Sequence, residues 1–281
     1  MAKNNIPMAT LAAGAVGVGA FLHWQNYGIH TTRYICRSIK LPRSFKGFKV
    51  AHISDFHNTA LLTNKIATMT MAEKPDIIAI TGDLFDCRHT DIAAGMALVE
   101  KLVKIAPVYY VRGNHEAKME NTNQLTDQIQ SMGVTVIEDT KISLLRGGDT
   151  ITLLGTKDPR FISDEDVDNS STRRIFREKL LGLTNQDGSF KILLSHRPEF
   201  IHTYCDSGVE LALTGHAHGG QFGIPFTDFG VFVPNQGIFP PYAAGVKQIG
   251  DTTVVISRGI GNSVFPFRLF NRPEIVIVEL E

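Results

Sequence analysis

The sequence is short of cysteine, of net charge and of repetition, and each shortage argues against a class of protein. Its three cysteines are odd in number, and their spacing fits neither a disulfide framework nor a Cys-rich zinc site. The formal net charge is zero. The surplus of lysine and arginine that binds a phosphate backbone is therefore missing, and no nucleic-acid partner is expected. No internal repeat or low-complexity tract is present. We expect buried free thiols at Cys36, Cys87 and Cys205.

Apolar residues, in contrast, are plentiful. They make up 43% of the 281 residues, which is enough to bury a substantial core without disulfides. We predict one large domain over residues 31–281, preceded by a short segment, residues 1–30, that needs separate treatment. The domain is expected to be a monomer.

The short N-terminal segment contains an apolar run. Residues 6–22 are uncharged and rich in glycine and alanine, and about 17 helical residues reach roughly 25 Å, the short end for a bilayer span. Trp24 and Tyr27 follow, and such rings favour a membrane interface. We expect a single-pass anchor at the cell membrane, with a cleaved signal peptide or a soluble helix as alternatives. The basic residues after the run leave the membrane side open.

Beyond residue 45, apolar strands alternate with amphipathic helices. The first half predicts a βαβαβ pattern, with strands over 48–53, 77–80 and 108–111 and helices over 64–73 and 92–103. Crossovers of this kind build a largely parallel sheet, whose ligands gather at the carboxyl ends of its strands. The second half is richer in strands, which are predicted over 134–137, 142–145, 151–154, 190–194, 209–213, 254–256 and 274–280, with a helix over 172–181.

Polar segments follow the ends of these predicted strands. They carry carboxylate and amide oxygens mixed with imidazoles, a donor set that suits Mn, Fe, Zn or Mg better than a soft thiolate site does. Taken singly, each histidine is more often structural, Asp83 could end a strand and Asn114 could be a turn residue. Together they predict a metal site. The segments are Asp55-Phe56-His57, Gly82-Asp83 with Asp86, Gly113-Asn114-His115-Glu116, Ser195-His196 and Gly215-His216-Ala217-His218.

In this order the segments resemble the motifs of calcineurin-like metallophosphoesterases, over about residues 45–281. Further runs resemble a bacterial membrane-associated or exported branch that includes YkuE-like and YaeI-like phosphodiesterases. These runs are Gly215 to Gln221, Ser257 to Gly261 and Arg272 to Ile275. The resemblance implies an α/β fold in which a β-sandwich is flanked by helices. It also implies a hydrolase that acts on phosphoric esters.

The resemblance further implies roles for the residues. Asp83 would bridge two divalent cations, Mn²⁺ foremost, with Fe, Zn or Mg allowed. Two cations about 3.5–4 Å apart can handle the attacking and the leaving oxygen together. His115 would face the leaving group as general acid, or stabilise phosphoryl charge, and Asp86 would orient its ring. One cation would be held by Asp55, His57, Asp83 and His218, and the other by Asp83, Asn114, His196 and His216. His52, His89 and His202 lie outside the pattern and are expected to be ordinary.

The substrate is less determined than the chemistry. Five phenylalanines between Phe222 and Phe239, with Phe265 and Phe267, could form an apolar rim for an acyl chain, although core burial is expected for most of them. A lipid-linked phosphodiester or pyrophosphate is the leading expectation. Cell-wall polymers, nucleotides and generic phosphodiesters stay open. Since all motifs lie beyond residue 30, removing residues 1–30 is expected to leave an active enzyme.

Three other functions are weaker interpretations of the same residues. An amidohydrolase usually opens with His-x-His, whereas here that pair comes last. A catalytically silent binding module would be expected to lack a ligand or a catalytic histidine. A membrane-tethered structural protein would need no such site.

Overall fold

The strands form two six-stranded sheets, with a small two-stranded ribbon beside them. The computed structural model describes residues 8–163, 167–184, 188–225, 227, 229–233, 236–262 and 265–281. The strands are β1 (His30–Cys36), β2 (Lys49–Ile53), β3 (Ile77–Thr81), β4 (Val108–Val111), β5 (Thr135–Val136), β6 (Thr140–Arg146), β7 (Asp149–Gly155), β8 (Lys191–Leu194), β9 (Leu211–Thr214), β10 (Phe232–Val233), β11 (Gly237–Ile238), β12 (Gly245–Ile249), β13 (Thr252–Ile256) and β14 (Glu274–Leu280).

Helices flank the sheets. They are α1 (Met8–Tyr27), α2 (Thr63–Glu73), α3 (Ile92–Leu102), α4 (Thr122–Ser131), α5 (Ser170–Thr184) and α6 (Ile201–Asp206). The sequence patterns found α2, α3 and α5 to within a few residues. They missed α4 and α6. In α4 only Leu125 and Ile129 are buried, which is too short a stripe to stand out in a polar segment.

Both sheets have parallel centres. The first has the order β1-β14-β2-β3-β4-β5, and the second the order β12-β13-β9-β8-β7-β6. Strands β2 to β5 run parallel, as do β13, β9, β8 and β7. The predicted parallel sheet is therefore correct for the strands that lead into the polar segments. The sheets are mixed, because β14 runs antiparallel to β2, β6 to β7, and β12 to β13.

The two sheets pack face to face. Alternate residues of the first sheet, such as Ala79 and Val276, share one buried cluster with Leu194 and Leu213 of the second. The residues between them point outward, since side chains alternate along a strand. The outward-pointing residues of the first sheet pack against α2, α3 and α4, and those of the second sheet pack against α5 and α6. The sandwich flanked by helices is thereby confirmed.

The N-terminal segment is helical, but its membrane role gains no support. In the described part of the chain, no helix is both apolar enough and long enough to traverse a bilayer. Most of α1 is exposed to solvent, with Val16 73% and Val18 60% exposed. Its last turn is different, because Gln25 is buried and Asn26 bonds to the domain.

Core burial, expected for most of the late phenylalanines, is wrong for five of them. Phe226 lies outside the described residues. The two rings of Phe265 and Phe267 pack against Phe222, with centroids 5.5 Å apart in each pair. Exposure ranges from 39% to 66% for the five, which are Phe229, Phe232, Phe239, Phe265 and Phe267. Phe232 lies in a ribbon whose two strands have two residues each, which is too short to cover a ring.

Candidate metal centre

Two sheet edges bring the polar segments together. Asp55 and His57 follow β2, Asp83 follows β3, and Asn114 and His115 follow β4. On the second sheet, His196 follows β8, while His216 and His218 follow β9. Because the parallel strands end at the same edge of each sheet, all five segments meet at one end of the sandwich. The predicted site residues that the structure brings together are Asp55, His57, Asp83, Asp86, Asn114, His115, His196, His216 and His218.

Five of these residues have a left-handed backbone. The φ angle is 52° at Asp55, 44° at His57, 51° at Asp83, 63° at His216 and 48° at His218. Such values are uncommon outside glycine, and they gather where the surrounding fold imposes them for function. The sharp turns direct side chains from different strands to one point.

Two glycines let the loops approach. A Cβ atom on Gly113 would collide with the Asp83 carboxylate, and one on Gly215 would collide with Ser54 and with the Asp55 carboxylate. Each glycine is therefore needed at its position because a larger residue would collide with the neighbouring loop. Alanine at either position would displace a predicted ligand.

One group of four side chains is buried and convergent. The ligand atoms of Asp55, His57, Asp83 and His218 all lie within 4.8 Å of one another. His57 Nε2 lies 3.1 Å from His218 Nε2 and 3.6 Å from Asp83 Oδ2. His218 Nε2 lies 3.3 Å from Asp55 Oδ1. Two ring nitrogens and two carboxylates thus face a common point.

A second group shares Asp83 with the first. Asp83, His196 and His216 also lie within 4.8 Å of one another. His196 Nε2 is 3.3 Å from Asp83 Oδ2 and 3.2 Å from Asn114 Oδ1, so the amide oxygen joins this group. His196 Nδ1 lies 2.6 Å from the Thr81 carbonyl oxygen, which fixes the ring and turns Nε2 toward Asp83.

The charges of the site fit divalent cations. Burial lowers the pKa of His196, but the carboxylates of Asp83 and Asp55 overcome it and raise that pKa to about 10. Burial holds the pKa values of His216 and His218 well below their ordinary range, helped by neighbouring cationic groups. A neutral imidazole keeps a lone pair for a metal. The carboxylates leave a negative field that cations would neutralise.

His115 and Asp86 lie beside the first group. His115 Nε2 is 3.9 Å from Asp83 Oδ2, and its Nδ1 lies 3.2 Å from the Cys87 backbone nitrogen. Asp86 is shared. Its Oδ1 lies 3.4 Å from His115 Nδ1, whereas its Oδ2 is 3.1 Å from His57 Nδ1. The structure therefore gives Asp86 a second contact, with His57, that the sequence did not predict.

Glu116 holds two of these loops together. Its carboxylate accepts backbone N–H groups from Asp83 at 2.9 Å, Phe85 at 3.0 Å and Gly113 at 2.9 Å. Burial and the Asp83 charge raise its pKa to about 7. Glu116 belongs to the Gly-Asn-His-Glu motif, and its place there was the only indication in the sequence that it contributes to the site.

Two buried arginines support the histidines of the last motif. Arg197 donates to Asp158 Oδ2 at 2.7 Å, and its Nη1 lies 3.3 Å from His216 Nε2. Arg268 Nη2 lies 3.3 Å from His218 Nδ1. Arg197 adjoins His196 in the sequence, but no motif marks Asp158 or Arg268. Sequence reasoning missed both.

Comparisons with known proteins agree on one family. The family described as calcineurin-like phosphoesterase matches residues 48–220. The uncharacterized metallophosphoesterase YkuE of Bacillus subtilis (strain 168) is 29% identical, with 96% of this chain and 93% of that protein covered. The phosphodiesterase YaeI of Escherichia coli (strain K12) is 26% identical, with 83% of this chain and 82% of that protein covered.

A solved structure shares the fold. The protein TT1561 of Thermus thermophilus superposes with a TM-score of 0.53 at 15% identity, covering 76% of this chain and 90% of that one. At this sequence identity, the superposition shows that the two proteins share the architecture of the sandwich, and nothing more.

Proposed function

The chain belongs to the calcineurin-like phosphoesterase family and is a hydrolase of phosphoric ester bonds, and on this premise we propose that it is a dinuclear phosphodiesterase. The observation that carries the proposal is the sharing of Asp83 between the four-residue group and the three-residue group. A carboxylate with two oxygens can serve two cations at once. The phosphodiesterase YaeI among the relatives supports the choice of a diester.

The donor set divides the residues between two cations. Asp55, His57, Asp83 and His218 would hold one, and Asp83, Asn114, His196 and His216 the other. When bound, the two cations would supply a nucleophilic water at neutral pH and would neutralise charge on the phosphoryl oxygens. We propose Mn²⁺, while Fe, Zn and Mg suit the same oxygens and nitrogens.

His115 is proposed to donate the proton. Burial lowers the pKa of His115, but the carboxylates of Asp83 and Asp86 raise it above its ordinary value, which favours the imidazolium. Its Nδ1 proton would face Asp86 Oδ1 at 3.4 Å, and its Nε2 proton would lie on the side of Asp83. Hydrolysis forms a P–O bond to the water oxygen and breaks the P–O bond to an alcohol. The departing alcohol oxygen would take the Nε2 proton and leave a neutral imidazole, and the proton released by the water would restore the imidazolium.

Metal content and activity together test this proposal. The purified full chain, loaded with Mn²⁺, should contain two metal ions and hydrolyse bis(nitrophenyl) phosphate. Chelation should remove both the metal and the activity. A protein that holds two metals but hydrolyses neither monoesters nor diesters would be the catalytically silent module instead.

A lipid-linked substrate and a membrane location stay part of the proposal. They draw support from the exposed rings of Phe265 and Phe267, which are 39% and 44% exposed. Acyl-bearing diesters in vesicles should then be hydrolysed faster than matched soluble diesters, and the protein should fractionate with membranes. Equal rates and a wholly soluble protein would remove both. That the protein is a monomer is likewise a prediction.

A further inference from the structure

A third cluster of metal-ligating side chains lies next to the two that share Asp83. It consists of His57, Asp86 and His115, which are all buried and whose ligand atoms all lie within 4.8 Å of one another. Two ring nitrogens face one carboxylate, because His57 Nδ1 is 3.1 Å from Asp86 Oδ2 and His115 Nδ1 is 3.4 Å from Asp86 Oδ1. We refer to these three residues as the third cluster.

The donors of the third cluster fit zinc. Bonds from Zn²⁺ to histidine nitrogen and to carboxylate oxygen are about 2.0–2.2 Å long, so that two ligands of a tetrahedral ion lie roughly 3.3 Å apart. The two measured separations from the carboxylate lie on either side of that value. Two imidazoles and one carboxylate leave a fourth position open, as in catalytic zinc sites. Such donors also bind Zn²⁺ more tightly than Mn²⁺.

A cation in the third cluster would oppose catalysis. A neutral imidazole has a lone pair on only one of its ring nitrogens. If His57 binds through Nδ1, its Nε2 carries the proton, and the first of the two proposed cations loses a ligand. If His115 binds through Nδ1, it keeps only the Nε2 proton of a neutral ring, which is a much weaker acid than the imidazolium. Occupation of the third cluster is therefore inhibitory.

A cleft leads to the third cluster, and Arg88 stands at its carboxylate. The cleft has a volume of about 460 Å³, and His57 and Asp86 belong to its lining. Arg88 Nη2 lies 3.3 Å from Asp86 Oδ2, and Arg88 Nε lies 3.4 Å from Asp86 Oδ1. While the guanidinium is there, its charge repels a cation that approaches the carboxylate. Because 37% of the Arg88 side chain is exposed, solvent can take it up when a cation displaces it.

We propose that the third cluster binds Zn²⁺ and thereby inhibits the enzyme, and that Arg88 weakens this binding. The inference rests on the dinuclear phosphodiesterase proposed above. It adds a cation position to the two that the family motifs imply, and this position uses the ring nitrogen of His57 that faces away from the first cation. It also gives a role to Arg88, which lies outside those motifs.

Zinc inhibition of the full chain loaded with Mn²⁺ tests the inference. The substrate is bis(nitrophenyl) phosphate, because His115→Asn should keep measurable activity with this leaving group. Zn²⁺ should inhibit the wild type, and His115→Asn should raise the half-inhibitory concentration at least about tenfold, since one zinc ligand is lost. Exchange of Zn²⁺ into the other two positions would affect both proteins alike. No inhibition, or equal inhibition of both proteins, would overturn the inference. Failure of the wild type to hydrolyse this substrate with Mn²⁺ alone would overturn the proposed function instead.

Two arginine variants form a matched pair. Arg88→Gln removes the competing charge and should lower the half-inhibitory zinc concentration about two- to fivefold. Arg146→Gln is the control. Arg146 Nη1 contacts Asp76 at 3.4 Å with 39% of its side chain exposed, but Asp76 precedes β3, at the end of the strand opposite to the metal centre. The control should leave the inhibition unchanged, and equal effects of the two variants would refute the role of Arg88.

The Cys87 thiol is the alternative zinc ligand in this region, because its Sγ lies 3.5 Å from His115 Nδ1. Cys87→Ser should keep the inhibition, and its loss in this variant would overturn the assignment to the third cluster. The ion can also be located directly in crystals of the Mn²⁺-loaded protein soaked with Zn²⁺. Anomalous density at the zinc edge should lie between His57 Nδ1 and His115 Nδ1, beside Asp86. Density at the two other positions alone would overturn the inference.

Discussion

Asp86 Oδ2 accepts the Nδ1 proton of His57 at 3.1 Å, on the side of the ring opposite to the nitrogen that faces the other ligands. A carboxylate in this position fixes the tautomer of a metal-binding histidine and raises its basicity. Asp86 therefore supports the first cation as well as the ring of His115.

Asp86→Asn should weaken the binding of one cation. An amide holds the His57 ring less firmly, so metal affinity should fall about 10–100-fold while the second cation stays bound. Titration of the metal-free protein with Mn²⁺ measures this. Asp91→Asn is the control, because Asp91 caps α3 through the Ala94 N–H and asparagine caps a helix equally well. Unchanged affinity at both cations would refute the support role.

His115→Asn should separate proton donation from metal binding. Both metals should remain, and the rate with an alkyl leaving group should fall on the order of 10²–10⁴-fold. With a nitrophenyl leaving group, which departs as a stable anion, the loss should be much smaller. Equal losses for both substrates would show that His115 stabilises phosphoryl charge. Loss of metal would make it a ligand.

Glu116→Gln should destabilise the fold. The carboxylate accepts three backbone N–H groups, and a glutamine would present an NH₂ group to some of them. We expect a loss of about 1–3 kcal/mol in the free energy of unfolding, measured with denaturant on the metal-free protein. The exposed Glu120, changed to Gln, should shift it by no more than about 0.5 kcal/mol. Equal shifts in the two variants would count against the bracing role.

The sequence predicted the catalytic end of the sandwich better than its surroundings. Asp55, Asp83 and His196 could be placed because each follows a buried apolar strand, and the edges of parallel strands coincide. Arg268 could not be placed. It approaches His218 from 50 residues further along the chain, and no local pattern encodes such a contact. The same holds for α1, whose apolar run said nothing about where its last turn docks.

The docking of the last turn of α1 alters the expectation, drawn from the sequence, that the protein stays active without residues 1–30. Deleting residues 1–19, which precede the docked turn, should leave kcat/KM for bis(nitrophenyl) phosphate unchanged. Deleting residues 1–27 removes Asn26, which accepts the Arg268 N–H, and so loosens the arginine that contacts His218. The longer deletion should lower kcat/KM at least about tenfold, with both metals retained. Steady-state rates and metal analysis on the two truncated proteins decide the matter. Full activity after the longer deletion would show that α1 is dispensable.

The bridging role of Asp83 is the central claim, and elemental analysis of Asp83→Asn tests it most directly. The wild-type chain should carry two metal ions. The variant should fold, since the Asp83 side chain accepts only the His115 N–H among its described backbone contacts. It should nevertheless carry at most one metal and show no measurable diester hydrolysis. Two metals per chain with near-normal activity in this variant would contradict the account.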